Sequence, residues 1–238
     1  MGKGKYKGRR AAAFIFDLDG TLVDSGLDIA LAANFTRIHF GLPELPVDLV
    51  RSYVGDGVAR LLERTLGHDV NSGLTGAAGL PVVEDRLAEG MAVFADHYGR
   101  HLLDNTRLYP GVLDVLLRFR RFPLHVATNK PRVFTDAILA GVHLDGAFRK
   151  IVGGDEAPAR KPDPAHLQAC LSGLDVSPSE VVVVGDSPND ILAARALGAV
   201  SVGCTFGLVV PGLVRSAQPD LIIDHITELV ELFPSRGD

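Results

Sequence analysis

Residues 11–21 read Ala-Ala-Ala-Phe-Ile-Phe-Asp-Leu-Asp-Gly-Thr, an apolar run that ends in two acids one residue apart and then a glycine. A short stretch with no polar position suits a strand buried on both faces. Asp17 and Asp19 then leave its end on the same side, because strand side chains alternate, and Gly20 permits a sharp turn. Two carboxylates share one opening. Read alone, Asp-x-Asp is equally well a polar strand end, so the surrounding chain must decide its meaning.

Comparable apolar runs recur at 124–128, 150–153, 181–185, 199–202 and 221–223, with helix-like stretches at 112–121, 132–141, 165–174, 189–198 and 226–233 between and after them. Alternating strands and helices predict an α/β fold, a doubly wound, Rossmann-like parallel sheet with its ligand site just beyond the carboxyl ends of the strands. The stretch 26–107 breaks the alternation. It offers amphipathic helix candidates at 27–40, 58–66 and 83–103, and turn formers at 73–81, and reads as a helical cap domain inserted after the first strand. The core is then 11–25 and 108–238. A cap entering and leaving at the strand-end rim could close over a bound ligand.

Composition narrows the class. The 238 residues are 47% hydrophobic and 22% charged, globular proportions that allow a core without disulfides. Cys170 and Cys204 have neither zinc-site nor paired-cysteine spacing, which favours a reducing, cytoplasmic setting. Residues 1–10 carry Lys3, Lys5, Lys7, Arg9 and Arg10 and no acid; subtracting these five from 24 basic residues leaves 19 against 29 acidic ones, a formal −10 for the remainder. The basic start reads as a solvated tail without an assigned role. Nucleic acid is not an expected partner of so acidic a body, and no apolar run approaches the roughly 18 residues of a membrane span. Monomer and homodimer both stay open.

Three further strand ends carry polar groups. Thr128-Asn129 offers a hydroxyl and backbone N–H groups, although such a pair also serves as an ordinary turn or cap. Lys130 precedes Pro131 at an expected helix start and reads as solvated. Lys161 is fixed by Pro162 before an expected N-cap, Asp163, where a cation can meet phosphate. Asp186 follows the run 181–185, and Ser187 with Asp190 resembles a capping box. Carboxylates, a hydroxyl and a lysine on one rim suit phosphoryl transfer, where a cation must offset repulsion between an attacking carboxylate and a phosphate dianion. Oxygen-only ligands favour Mg²⁺ over zinc.

Taken in order, Asp17-Leu18-Asp19-Gly20-Thr21, Thr128, Lys161 and Gly185-Asp186 through Asp190 resemble the signature of the haloacid-dehalogenase-like hydrolase superfamily. The group most resembled is the phosphoglycolate phosphatases, through Tyr109-Pro110-Gly111-Val112, Ala127-Thr128-Asn129-Lys130-Pro131, Gly153-Gly154-Asp155, Lys161-Pro162-Asp163-Pro164 and Gln218-Pro219-Asp220. The resemblance implies a phosphatase acting on a small phosphorylated metabolite, with Asp17 as nucleophile and Asp19 as acid and then base. It further implies Mg²⁺ held by the carboxylates of Asp17 and Asp186 and the backbone oxygen of Asp19, with Asp190 orienting that set. Thr128, the Asn129 backbone and Lys161 would hold the phosphoryl oxygens.

In the cap, Val54-Gly55-Asp56-Gly57 resembles the family's cap loop, and Arg60 and Arg64 follow at helical spacing. They are candidates for a substrate carboxylate, with a solvated helix face as the plainer alternative. A phosphonatase is disfavoured because 26–107 contains no lysine, and a dehalogenase because Asp19 is present. A sugar-phosphate phosphatase, a phosphoglucomutase and, further off, a phospho-acceptor signalling module remain as alternatives.

Overall fold

The computed structural model describes residues 10–68 and 84–234. Lys3, Lys5, Lys7 and Arg9 of the basic start and the turn-rich 73–81 lie outside them. The described chain forms two compact units, one of residues up to Asp24 together with Arg107 onward, the other Ser25–Thr106.

The first unit is built on a six-stranded parallel sheet. Its strands are β1 (Ala13–Phe16), β4 (Leu124–Ala127), β5 (Lys150–Val152), β6 (Val181–Gly185), β7 (Val200–Cys204) and β8 (Leu221–Ile223), in the order β5-β4-β1-β6-β7-β8. The chain steps outward from β1 to β4 and β5, then crosses back to lay β6 on the other side of β1. β1 therefore sits where the winding direction reverses, and the crevice beyond its carboxyl end is where open α/β sheets bind ligands. Asp17 stands at that end.

Alternation along β1 divides the core. Phe14 stacks on Phe119 at 4.4 Å between ring centroids and meets Phe122 and Phe233 edge-on at 5.3 and 5.7 Å. Those partners belong to or follow helices α5 (Val112–Phe119) and α10 (Glu228–Leu232), which cover one face. Ala13 and Ile15 point the other way, into a cluster with Leu167 and Cys170 of α7 (Ala165–Leu171) and Ala193 and Ala194 of α8 (Pro188–Leu197). Both faces are thus covered, which is why β1 and β6 read as unbroken apolar runs. Cys170 and Cys204 are free and buried, and burial pushes the Cys170 thiol up to about 12.

Several elements differ from the sequence expectation. A two-stranded antiparallel ribbon, β2 (Val23–Asp24) with β3 (Arg107–Leu108), brackets the insertion in the chain; two residues per strand carry no readable period. Helix α9 (Pro211–Ser216) was also not anticipated. Helix α7 starts at Ala165, with Pro164 in the cap position, and Asp163 serves it by accepting the Ala165 N–H at 2.8 Å.

Among the described residues the second unit holds α1 (Gly26–His39), α2 (Val47–Arg51), α3 (Val58–Leu66) and α4 (Glu84–His101), and no strand. Its two chain ends are tied by Asp28, 2% exposed, whose carboxylate accepts the backbone N–H groups of Asn105 and Thr106 and the Asn105 and Thr106 side chains, all at 2.8–3.0 Å. Buried Arg37 does comparable work inside the unit, donating to the carbonyls of Pro43 and Thr65. Among the described residues no helix is long and apolar enough to cross a membrane.

Candidate active site

Pairing of β1 with β6 continues one residue past the strand, where the Asp17 N–H donates to the Val184 carbonyl at 2.9 Å. This register sets the ends of the two strands side by side and brings their terminal acids together. Asp17, Asp186 and Asp190 each present a carboxylate oxygen within 4.8 Å of the others. Two glycines make room for that approach. A Cβ on Gly20, whose φ is +85°, would lie 2.0 Å from Asp186 Oδ2, and one on Gly185 would lie 2.1 Å from the Asp190 carboxyl carbon. Neither position can carry a side chain without displacing an acid.

Each acid is held differently. Asp186 Oδ2 accepts the N–H groups of Leu208 and Val209 at 2.7 and 3.1 Å. These donors lie in the turn after β7, where a Cβ on Gly207 would come 2.3 Å from Asp186 Oδ2. That turn was missed from the sequence, although Gly207 follows a strand end on the same rim. Asp190 serves two purposes: its Oδ2 accepts the Ser187 N–H and hydroxyl at 3.1 and 2.7 Å, closing the capping box of α8, and its Oδ1 accepts Lys161 Nζ at 2.6 Å. Asp17 Oδ1 is buried, with Lys161 Nζ 2.9 Å from it.

Lys161 is 4% exposed and spends its ammonium on Asp17, Asp190 and the Ala127 carbonyl, the last at 2.6 Å. Its backbone is clamped by Asn129, whose side chain accepts the Lys161 N–H and donates to its carbonyl, both at 3.0 Å. Thr128 is buried beside Asn129, and its Oγ accepts the Lys130 N–H at 3.2 Å. The structure therefore gathers Asp17, Thr128, Asn129, Asp186 and Asp190 at and just beyond the carboxyl ends of β1, β4 and β6, and Lys161 reaches Asp17 and Asp190 from the segment between β5 and α7.

Lys130 corrects the sequence expectation. It is not solvated: it is 8% exposed, and its Nζ lies 2.9 and 3.1 Å from the two carboxylate oxygens of Asp19. The expectation followed from Pro131 as a helix start, and helix α6 (Arg132–Gly141) does begin there. Local sequence could not show that Asp19, 111 positions away in the chain, stands opposite.

The charge balance is uneven, with three carboxylates facing one ammonium. Burial pushes the Asp17 carboxyl up to about 7; Lys161 opposes the rise, and Asp190 and Asp19 add to it. Asp186 is driven well above the carboxylate range, first by burial and then by Asp17 and Asp190, against the pull of its two backbone donors. For Lys161, burial alone would lower the ammonium, and Asp17 and Asp190 together reverse that into a net rise. A hard divalent cation would offset the imbalance: it needs oxygen donors and negative charge, and the cluster of three carboxylates supplies both. These residues fit a metal.

Arg60 and Arg64 lie in the second unit and are engaged there. Arg60 pairs with Glu63 at 2.6 Å on an exposed helix face; Arg64 pairs with Asp56 at 2.5 Å and donates to the Tyr53 carbonyl at 3.2 Å.

Comparison with known proteins gives the family. Residues 11–198 match the family model of haloacid dehalogenase-like hydrolases, and the chain belongs to that family. The chain is 39% identical over 222 residues to the phosphoglycolate phosphatase of Chromobacterium violaceum, covering 92% of this chain and 95% of that one. It is 36% identical over 219 residues to the phosphoglycolate phosphatase of Haemophilus influenzae, covering 91% and 96%. A crystal structure of a predicted phosphoglycolate phosphatase from Haemophilus somnus superposes with a TM-score of 0.85 at 31% identity, covering 94% of this chain and 98% of that one. The chain is a phosphoric monoester hydrolase.

Proposed function

We propose that this hydrolase removes the phosphoryl group of 2-phosphoglycolate with Mg²⁺ as its cofactor, through an aspartyl-phosphate on Asp17. The observation that carries the reading is the approach of Asp17, Asp186 and Asp190 within 4.8 Å of one another, beside the ammonium of Lys161. The named relatives support the choice of substrate. Asp17 and Asp186 would hold the metal with the backbone oxygen of Asp19, and Asp190 would steady that set; a bound Mg²⁺ would offset the negative charge of carboxylate and phosphate as they meet.

An Asp17 carboxylate oxygen attacks phosphorus, and the bond from phosphorus to the alcohol oxygen breaks. Asp19, in its acid form, gives its proton to that oxygen, so glycolate leaves as the alcohol. Water then attacks the phosphorus of the aspartyl-phosphate and gives a proton to Asp19, and the bond from phosphorus to the Asp17 oxygen breaks, which frees phosphate and returns Asp17 as the carboxylate. The Thr128 hydroxyl, the Asn129 backbone and Lys161 orient the phosphoryl oxygens. Two residues favour this arrangement. Asn129 fixes the backbone of Lys161, and Lys161 bridges Asp17 to Asp190, so nucleophile and cation are placed before substrate arrives.

The test is phosphate release from 2-phosphoglycolate, a hexose phosphate and a mononucleotide, each with Mg²⁺ and with a chelator. Turnover of 2-phosphoglycolate should depend on Mg²⁺ and exceed that of the other two. Asp17→Asn should abolish turnover in a protein that still folds; substantial residual activity rules out Asp17 as nucleophile. A hexose phosphate processed faster than 2-phosphoglycolate moves the assignment to a sugar-phosphate phosphatase.

A further inference from the structure

We infer that Lys130 determines specificity by binding an anionic group carried by the leaving alcohol, and that this contact selects substrates such as 2-phosphoglycolate. The inference rests on the proposed reading of Asp19 as the residue that protonates the leaving oxygen. If Asp19 touches that oxygen, then a cation bound to Asp19 stands beside the leaving group. Lys130 Nζ, at 2.9 and 3.1 Å from the two Asp19 oxygens, is such a cation.

Its placement is built into the fold. The Lys130 N–H donates to Thr128 Oγ, and the Lys130 carbonyl accepts the Gly154 N–H at 2.8 Å. Gly154 has to be a glycine, since a Cβ there would lie 2.2 Å from the Asn129 carbonyl oxygen. The residue that aims Lys130 at Asp19 is thus held by the same strand ends that carry the phosphate-binding groups. Other cations are committed elsewhere. Lys161 sits on the nucleophile's side with Asp17, Asp190 and the Ala127 carbonyl, while Arg60 and Arg64 pair with Glu63 and Asp56.

An ammonium this buried is costly without anions around it. A leaving group with a carboxylate a bond or two from its oxygen supplies an anion at the same place, and an ammonium's rotatable donors can contact it together with the Asp19 carboxyl. A neutral leaving group supplies none. A cationic one is repelled. The substrate class is therefore a small phosphomonoester with an anionic alcohol portion.

Three substrates of similar size separate the cases: 2-phosphoglycolate, ethyl phosphate and 2-aminoethyl phosphate, each assayed with Mg²⁺ on the full chain, Lys130→Met and Lys130→Arg. For the unaltered chain, kcat/KM should fall in that order, with roughly a 10- to 100-fold gap between the first two, as expected for one charge-assisted contact. In Lys130→Met the ratio between those two should drop at least about tenfold on the same scale, chiefly through KM for 2-phosphoglycolate. Lys130→Arg should keep most of the ratio. A lysine that merely held Asp19 or the loop would lower both substrates by one factor and leave the ratio intact, and that result overturns the inference. Should Lys130→Met fail to fold, the unaltered chain still decides: equal turnover of ethyl phosphate and 2-phosphoglycolate refutes a charge contact. No phosphate from any of the three overturns the proposed 2-phosphoglycolate reading itself, a distinguishable failure.

Discussion

Asp17→Asn tests the physical cost of the site as well as its chemistry. The carboxyl of Asp17 is raised from 3.8 to about 7, with burial as the first cause. A group raised in the folded protein binds its proton more tightly there than in the unfolded chain. Stability therefore falls as pH climbs from about 4 to about 7 and levels off above. About three pH units at about 1.4 kcal/mol each give an upper bound of about 4 kcal/mol for keeping Asp17 ionised in the metal-free protein. Local relaxation and water entry reduce this, so roughly 2–4 kcal/mol is the expected gain for Asp17→Asn at pH 8. At pH 4.5, where Asp17 is protonated in the folded protein, the gain should shrink below about 1 kcal/mol. The assay is urea unfolding of both proteins with a chelator at the two pH values. Repeating it at pH 8 with Mg²⁺ should narrow the difference, because a bound cation stabilises the carboxylate. Equal stability of the two proteins at pH 8, or a gain that does not depend on pH, would refute the assignment of the cost to Asp17.

Two further perturbations act away from the chemistry. His125 is 1% exposed in β4, neither ring nitrogen has a hydrogen-bond partner among the described residues, and burial, with Arg149 and Lys150, lowers it to about 4. A histidine depressed in the folded state withdraws stability as pH falls from about 6.5 towards 4, so His125→Leu should resist acid better, by up to about 3 kcal/mol near pH 4, in acid titrations followed by circular dichroism. Asp28→Ala removes the acceptor for the Asn105 and Thr106 donors and leaves a buried gap. It should destabilise the second unit by about 3 kcal/mol, seen as a lower urea midpoint for that unit, whereas the sheet-bearing unit should keep its midpoint.

How much was legible depended on the range of the deciding contacts. The runs at 11–16 and 181–185 announced strands covered on both faces, and the acids beyond them, Asp17 and Asp186, had to sit at strand ends wherever the strands went. The capping box of Ser187 and Asp190 was readable for the same reason, being closed within four residues. Lys130 was misread, since its partner Asp19 is distant in sequence and the local sign, Pro131, spoke only of the helix after it. The double duty of Asp190, capping α8 and pairing with Lys161, could not be seen either.

The sequence by itself determined the alternation of strands and helices and the chemical inventory of the rim, because periodicity, turn residues and caps are properties of neighbouring residues. Only the tertiary structure decided which side chains meet. The crossover that puts β6 against β1 sets Asp186 beside Asp17, and Gly20, Gly185 and Gly207 let those acids approach. Charge–charge forces and desolvation act through space, so the raised carboxyls and the Lys130–Asp19 pair exist only once the chain has folded.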